Sequence, residues 1–180
     1  MFIRLGLCFN GAMTQTFGDQ LVELLPRLRR FAISLCGSRE RADELVQTAC
    51  AKALAAQASW TPGTRFDSWM FRILRNTWID VLRRQRVEGP PADSDGYAHV
   101  MGSDGEETAL SRLTLQAVWT AIGSLPVEQR EVLLLVAIEG FTYGEAAEVL
   151  GIPVGTVMSR LARGREKIAE AAGIDRKNGR

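Results

Sequence analysis

The stretch TYGEAAEVLGIPVGTVMSRLARGREKI, residues 142–168, predicts two helices joined by one very short break. Thr142 can cap the first helix, and Glu145, three residues later, completes a capping box. Gly151 follows the end of that helix, and Pro153 can start the next one. Because the connection is so short, the two helices must meet at a steep angle. This arrangement is typical of a helix-turn-helix.

The helix after the break has an apolar side and a polar side. Val157, Leu161 and Ile168 recur at helical spacing, so we expect them to face the core. The residues on or near the outer side are Thr156, Met158, Ser159, Arg160, Ala162 and Arg163. On a helix in the major groove, an arginine can donate two hydrogen bonds to guanine, and a hydroxyl can reach a base or a phosphate. The alternative is a helical hairpin whose basic side is merely solvated, but the caps, turn and charge together favour DNA binding.

Two further helices are predicted before this pair. Apolar spacing marks one helix at residues 113–122. The segment SLPVEQREVLLLVAIEG, residues 124–140, marks the other, with Ser124 as its cap and Pro126 in its first turn. We therefore expect residues 108–174 to form one small helical domain.

Charge is distributed unevenly along the chain, although the net charge is only +1. Residues 65–86 hold six arginines and two acidic residues, whereas residues 87–107 hold six acidic residues and no lysine or arginine. The second segment is also rich in proline, glycine and serine, as interdomain linkers are. A basic face beside an acidic linker indicates binding to a polyanion.

The acidic linker at 87–107 divides the chain into two domains. The first spans residues 14–86 and the second 108–174, between an N-terminal extension at 1–13, expected to be disordered, and a tail at 175–180. Neither domain shows the alternation of apolar and polar residues that predicts strands. The predicted fold is therefore all-α, with two small helical domains joined by a flexible linker.

The first domain begins with apolar residues at three- and four-residue spacing from Leu21 to Leu35. Pro26 lies within this run and predicts that one helix ends or kinks there, because proline lacks the N–H that a helix interior needs. Ser38 can cap the next helix. The apolar stripe of that helix is Ala42, Leu45, Val46, Ala49, Ala53 and Leu54.

The segment FDSWMFRILRNTWIDVLRRQR, residues 66–86, predicts a long amphipathic helix with one cationic side. The polar residues of that side are Arg72, Arg75, Asn76, Arg83 and Arg84. Of the nearby tryptophans, Trp69 falls on the apolar stripe, Trp60 lies in a Pro/Gly loop where a large ring is harder to bury, and Trp78 is undecided. Aromatic residues beside arginines also suit single-stranded nucleic acid, because bases stack on the rings.

The composition gives little support to catalysis, metal binding or membrane insertion. One histidine, His99, and three cysteines, Cys8, Cys36 and Cys50, form no catalytic or metal-binding pattern. We expect Cys36 and Cys50 to fill the core, with a redox-sensing thiol as the alternative. No apolar stretch approaches the roughly 20 residues of a membrane-spanning helix. The sequence thus predicts a cytoplasmic protein without cofactor or enzymatic activity.

The first dozen residues contain a short apolar run, MFIRLGLCFNGA. The run is shorter than a signal peptide requires, and we interpret it as no export signal. An alternative is that translation begins at Met13.

Four segments carry a family pattern when they are taken together. They are RADELVQTACAKAL (41–54), FDSWMFRILRNTWIDVLRRQR (66–86), LPVEQREVLLL (125–135) and TYGEAAEVLGIPVGTVMSRLARGR (142–165). In this order and spacing they resemble the bacterial extracytoplasmic-function (ECF) sigma factors. The stretches FAISLCGSRERADELVQ and GTRFDSWMFRILRNT also resemble the general-stress branch of this family in alphaproteobacteria. The resemblance implies a subunit that binds core RNA polymerase, recognises two promoter elements and stabilises melted DNA.

The resemblance also implies roles for individual residues. The residues matching the helix that packs on the β′ clamp of the polymerase are Asp43, Glu44 and Gln47. Trp60 lies in the loop that captures a base flipped from the minus-ten promoter element. The residues matching the helix that reads the duplex there are Asn76, Asp80, Arg83 and Arg84. The residues matching the helix that reads the minus-thirty-five element are Thr156, Ser159, Arg160 and Arg163.

Three positions depart from the family pattern. Met158 stands where many relatives have a basic residue, Ala162 where some have a larger contact, and Thr48 where an acid commonly follows the Val-Gln pair. The upstream sequence preference and the strength of the clamp contact therefore cannot be carried over.

The resemblance further implies an anti-sigma factor as partner and a free chain that is monomeric. Two other classes of function stay open at this stage. An autonomous helix-turn-helix regulator would need a dimer interface, which the sequence does not show. A helical enzyme or scaffold would need a polar site, and none is evident.

Overall fold

The computed structural model describes residues 15–61, 63–88 and 118–171, and no β-strand occurs among them. The helices are α1 (Phe17–Cys36), α2 (Arg39–Ala55), α3 (Phe66–Glu88), α4 (118–124), α5 (Val127–Leu133), α6 (Tyr143–Leu150) and α7 (Val154–Ala171). The predicted all-α class is therefore confirmed for these residues. The predicted extension and tail, nearly all of the linker, Cys8 and His99 lie outside them.

Helices α1 to α3 form the N-terminal module. Thr16 begins α1 with a capping box, in which its hydroxyl accepts from the Asp19 N–H and the Asp19 carboxylate accepts from the Thr16 N–H. The side chains fully enclosed between the three helices include Leu28, Phe31, Leu35, Met70, Phe71 and Leu74. Burial of an apolar side chain of this size stabilises a fold by about 1.5–3 kcal/mol, so these residues anchor the module.

Helix α1 does not end at Pro26, so the predicted helix end there is wrong. Helix α1 runs without interruption from Phe17 to Cys36 with Pro26 inside it. Pro26 and Val22, the residue whose carbonyl loses its helical donor, are both on the exposed side of α1. Water can therefore satisfy that carbonyl, while the leucines on the other side keep the helix against the core.

Helix α2 follows the prediction except at its end. Ser38 caps it by accepting a hydrogen bond from the Arg41 N–H at 3.4 Å. Ala42, Leu45, Val46, Ala49 and Ala53 are buried as expected. Leu54 is 55% exposed and does not belong to the stripe. It lies one residue, or about 100°, beyond Ala53, which turns its side chain away from the core in the last turn.

Cys36 and Cys50 both lie partly buried against the core of the N-terminal module. Burial raises the pKa of the Cys36 thiol to about 12, and burial also raises the pKa of Cys50. A thiol that stays protonated at neutral pH is a poor nucleophile. Both residues therefore fit the expected role of core filler better than that of a redox sensor.

The C-terminal module contains α4 to α7. Its turn between α4 and α5 differs from the prediction, because Ser124 does not cap α5. The Ser124 hydroxyl donates to the Ala121 carbonyl instead, and Pro126 stands at the cap position just before the helix rather than in its first turn. Arg130 organises the turn by donating to the carbonyls of Ile122, Gly123 and Leu125 at 2.8–3.2 Å.

A π-helical segment, Leu134–Ile138, continues α5. The Glu139 N–H closes its last turn by donating to the Leu134 carbonyl, five residues earlier, at 2.9 Å. Gly140 then takes a positive φ of 73° and ends the helical run. The π segment thereby sets the direction in which Glu139 and Phe141 leave the helix.

The helix-turn-helix formed by α6 and α7 matches the prediction closely. Both hydrogen bonds of the Thr142–Glu145 capping box are present, and Gly151 ends α6 with a φ of 62°. Helix α7 begins directly after Pro153. Val157 and Leu161 are buried, and Ile152 and Ile168 pack against the same core.

The two modules pack against each other rather than standing apart. Helices α1 and α3 of the N-terminal module contact α5 and α6 of the C-terminal one. The rings of Phe71 and Phe141 meet edge-to-face across this interface, with centroids 5.2 Å apart. Phe71 is fully buried and Phe141 is 2% exposed, so the hydrophobic core is continuous between the modules.

Two glycines of the C-terminal module should respond oppositely to alanine. Gly151 needs its positive φ, so Gly151→Ala should destabilise the fold by roughly 1–2 kcal/mol. Gly164 lies in the middle of α7, where an added Cβ would stand 3.6 Å from a Leu133 methyl in ordinary contact. Gly164→Ala should therefore raise stability by up to about 1 kcal/mol through helix propensity. Urea unfolding followed by circular dichroism measures both, and a destabilised Gly164→Ala would contradict this account of the α5–α7 packing.

Candidate nucleic-acid interface

The outward side of α2 is polar and exposed. Asp43, Glu44 and Gln47 all point into solvent, as the sequence predicts for a protein-binding face. Asp43 is paired with Arg29 of α1, whose Nε and second guanidinium nitrogen each lie 2.7 Å from a carboxylate oxygen. This two-point contact fixes the Asp43 side chain. The face therefore presents one oriented carboxylate and two freely solvated polar groups.

Trp60 lies in the loop between α2 and α3 and is partly buried against an aromatic cluster. Its ring meets Phe66 and Phe17 edge-to-face, with centroids 5.4 and 6.1 Å apart. Phe17 also contacts Trp69, which is partly buried in the same cluster. The buried Nε1 of Trp60 has no hydrogen-bond partner within the described residues. The loop thus packs the Trp60 ring against aromatic side chains, and the indole N–H has no partner among the described residues.

One side of α3 is left for an external partner. Asn76, Arg83 and Arg84 are exposed, and Asp80 is half-buried. These four residues stand at spacings of four, three and one, so they share one side of the helix. The Asp80 carboxylate accepts from Lys52 of α2 at 3.1 Å, which ties its orientation to the neighbouring helix. Trp78, undecided from sequence, is buried in the core at 6% exposure.

Arg75 departs from the predicted cationic side of α3. Its side chain is only 17% exposed, and its Nε lies 3.5 Å from a carboxylate oxygen of Glu131 in α5. The prediction that Arg75 lines a solvent-facing surface is therefore wrong. It turns inward because α5 supplies a buried opposite charge beside it.

Helix α7 presents its predicted outer side to solvent. Ser159 and Arg163 are exposed and Thr156 is half-exposed, while Val157 and Leu161 hold the other side in the core. The Ser159 hydroxyl donates to the Thr156 carbonyl at 3.1 Å. Arg160 is half-buried at the flank nearest α5, where burial raises the pKa of Glu131 and the charge of Arg160 offsets a small part of that rise. The structure thus brings three polar groups together outward and turns Arg160 partly toward the core.

Several charged residues that the sequence analysis did not single out connect the two modules. Arg27 Nε donates to the Glu139 carboxylate at 2.7 Å, and another Arg27 nitrogen donates to the Glu139 carbonyl at 3.1 Å. Arg65 pairs with both Asp67 and Glu145. Arg130 donates to the Ser34 carbonyl at the end of α1 at 3.0 Å. The partners across the modules lie 80 to 112 residues apart in the sequence, so no local pattern marks them.

The environment of these carboxylates shifts their protonation in opposite directions. Burial raises the pKa of Glu131, and the charge of Arg75 offsets only part of that rise. Burial also acts to raise the pKa of Asp67, but hydrogen bonds from Arg65 and from the Ser68 N–H lower it overall. The pKa of Glu145 is lowered by the Thr142 backbone and hydroxyl, and then by Arg65. Asp67 and Glu145 therefore stay charged to lower pH than free carboxyls do.

Two further findings limit the chemistry of these surfaces. Among residues 15–61, 63–88 and 118–171, no group of three His, Cys, Asp or Glu side chains is arranged to hold a metal ion. In the same part of the chain, no helix is long and apolar enough to cross a membrane. The arrangement offers hydrogen-bonding and ionic surfaces and an aromatic support.

Comparison with known proteins adds family information to this geometry. Residues 21–88 match the family described as Sigma-70 region 2, and residues 115–168 match Sigma-70, region 4. The ECF RNA polymerase sigma factor EcfG of Rhodopseudomonas palustris (strain TIE-1) is 39% identical over 163 residues, which are 91% of this chain and 88% of EcfG. The chain belongs to the ECF sigma factor family. An ECF sigma factor directs promoter-specific initiation of transcription, and its family consists of transcription factors rather than enzymes.

Solved structures agree with this family assignment. The sigma factor RpoE from Bartonella quintana, crystallised with the anti-sigma factor NepR, is similar with a TM-score of 0.77 and 33% identity over 89% of this chain and 98% of RpoE. CnrH, in complex with the cytosolic domain of CnrY, is similar with a TM-score of 0.63 and 28% identity over 88% of each chain. These relatives are consistent with the general-stress branch. They do not favour an autonomous helix-turn-helix regulator.

Proposed function

We propose that this sigma factor binds core RNA polymerase through α2 and contacts promoter DNA through α3, the Trp60 loop and α7. The observation that carries the proposal is the geometry of α7. Val157 and Leu161 are buried, so the helix is held firmly, while Ser159 and Arg163 stand free on the opposite side. A rigid helix with a polar outer side is what insertion into a major groove requires.

The polymerase contact is assigned to the outward side of α2. Asp43, Glu44 and Gln47 are exposed together there, and Arg29 holds Asp43 in one orientation. The assignment follows from the family resemblance, in which the matching helix packs on the β′ clamp. An oriented carboxylate suits a specific partner better than a freely rotating one, because less side-chain entropy is lost on binding.

The minus-ten element is assigned to the Trp60 loop and the exposed side of α3. Arg83 and Arg84 would hold phosphates near the melted edge, and Asn76 and Asp80 would face the duplex. Trp60 rests on Phe17 and Phe66, so its ring would support a base removed from the stack. No covalent bond is made or broken in this mechanism, and the chain acts as a cytoplasmic specificity subunit without a cofactor.

Regulation by an anti-sigma factor is a further part of the proposal. The structural relative from Bartonella quintana is described in complex with the anti-sigma factor NepR. Its likeness to this chain supports a partner of the same class here. We also propose that the free chain is monomeric, since the described surfaces are assigned to polymerase, DNA and this partner.

The proposed function is tested by adding the purified chain to core RNA polymerase. We expect the chain to co-purify with core and to support run-off transcription from a discrete set of genomic promoter fragments. Without core it should bind DNA weakly and with a steep dependence on salt, because the contacts are largely ionic. Specific binding of a duplex without core, combined with no transcription in its presence, would overturn the proposal.

Arg163→Ala should weaken recognition of the upstream promoter element. Loss of a two-point contact to a base costs about 1–3 kcal/mol, so we expect a roughly tenfold fall in affinity of the holoenzyme for that element. The matched control is Arg165→Ala, because Arg165 is also exposed but lies about 200° around α7 from Arg163. Core binding should be unchanged in both. Equal losses in the two variants would argue against a reading role for Arg163.

Trp60→Ala should impair promoter opening more than promoter binding. Stacking of a base on an aromatic ring is worth about 1–3 kcal/mol, so permanganate reactivity of the melted strand should fall roughly tenfold while closed-complex affinity is kept. Trp60→Phe keeps a ring on Phe17 and Phe66 and should retain most of the opening. Thermal melting checks that each variant is folded. If Trp60→Ala opens promoters like the wild type, base capture is wrongly assigned.

A further inference from the structure

The ion pairs that cross the interface between the two modules all have the same polarity. Their carboxylates come from the C-terminal module, namely Glu131, Glu139 and Glu145, while Asp67 pairs with Arg27 and Arg65 within the N-terminal module. The ionic partners of the three glutamates are arginines of the N-terminal module, namely Arg27, Arg30, Arg65 and Arg75. We call these seven residues the clasp. The two modules therefore attract each other electrostatically across the contact.

Glu139 is the centre of the clasp. Its side chain is only 2% exposed, and its carboxylate lies 2.7 Å from Arg27 Nε and 3.7 Å from an Arg30 nitrogen. Arg27 also donates to the Glu139 carbonyl. A buried carboxylate is strongly disfavoured unless it is paired, so Arg27 and Arg30 are what allow Glu139 to be enclosed while the modules are in contact.

Two of the clasp arginines also contact the aromatic pair formed by Phe71 and Phe141. Arg65 pairs with Glu145, and its guanidinium lies over the Phe141 ring at 5.2 Å. Arg27 lies over the Phe71 ring at 5.5 Å. Arg75 lies 3.5 Å from Glu131. Arg27 and Arg65 thus contact both the glutamates and the two rings that join the modules.

The composition of the clasp makes the contact suited to opening. When the modules separate, arginines and glutamates recover their hydration, which repays much of the lost Coulomb attraction. The Arg27 and Arg65 side chains are already 32% and 48% exposed, so water and ions reach them in the closed state. Contacts between domains of one chain generally resemble transient interfaces. An apolar contact of the same extent would resist separation more strongly.

We propose that the clasp holds the free chain in a closed state, in which glutamates of the C-terminal module pair with arginines of the N-terminal module. The clasp opens when these arginines are screened or engaged elsewhere. Arg65 and Arg75 belong to the arginine-rich segment that precedes the acidic linker. In the closed state Arg65 pairs with Glu145 and Arg75 lies beside Glu131, so a phosphate that binds either arginine competes with a glutamate. This consequence rests on the proposed function, whereas the closed state itself does not.

The test measures the radius of gyration of the full chain by small-angle X-ray scattering. A compact chain of this length has a radius of about 16 Å, and separation of the two modules should increase it. Wild type should be compact at low salt and expand toward 1 M NaCl, because salt screens exposed charges. Glu139→Arg, which faces Arg27 and Arg30 with a like charge, should be expanded already at low salt.

Two variants make the result specific. Arg27→Glu combined with Glu139→Arg restores an opposite-charge pair and should recover most of the compaction. Glu148→Arg makes the same charge change at an exposed site on α6 outside the clasp and should remain compact. Circular dichroism should show unchanged helix content, since the Glu139 backbone hydrogen bond to Leu134 does not involve its side chain.

The proposal is overturned if wild type keeps the same radius across the salt series and Glu139→Arg is as compact as Glu148→Arg. The salt series on wild type decides the question even if a variant fails to fold. Run-off transcription tests the proposed function separately. If the chain expands with salt but does not transcribe, the clasp proposal stands and the proposed function is wrong. If the chain transcribes but does not expand, the proposed function stands and the clasp proposal is wrong.

Discussion

Helix α3 contacts the N-terminal core, the C-terminal module and solvent at once. The rest of the structure depends on this threefold contact. Met70 and Leu74 fill the N-terminal core, Phe71 meets Phe141 of the other module, and Arg83 and Arg84 remain in water. A helix turns about 100° per residue, so neighbouring positions are sent to different environments. A change of register in α3 would disturb the core, the interdomain contact and the solvent-facing side together.

Features set by local chemistry could be predicted from the sequence. The Thr142–Glu145 capping box, the glycine after α6 and the buried positions of α7 depend on residues close in sequence, and Thr142, Gly151 and Val157 behave as expected. The errors arose where solvent or a distant residue decided the outcome. Pro26 is tolerated because it faces water, and Ser124 loses its capping role because Arg130 organises the turn.

The contact between the modules could not be predicted from spacing. Arg27 and Glu139 are 112 residues apart in sequence, and Arg65 and Glu145 are 80 apart. No local pattern marks such a pair, because each member looks like an ordinary surface charge. Arg75 is the clearest example of a wrong prediction. Helical spacing places it on the exposed cationic side of α3, but Glu131 of the other module lies beside it and it turns inward. The surfaces proposed for polymerase and DNA were predictable because their residues are close in sequence.

The π-helical segment determines how the C-terminal module is oriented toward its partner. A π turn holds one residue more than an α turn, which corresponds to about 100° of rotation for everything downstream. Glu139 closes this turn, and its carboxylate points at Arg27 only with that rotation in place. The length of the Leu134–Ile138 segment therefore sets the rotation of Glu139 about the helix axis. A chain shorter by one residue there would keep Glu139 and its arginine partners but would aim the carboxylate away from them.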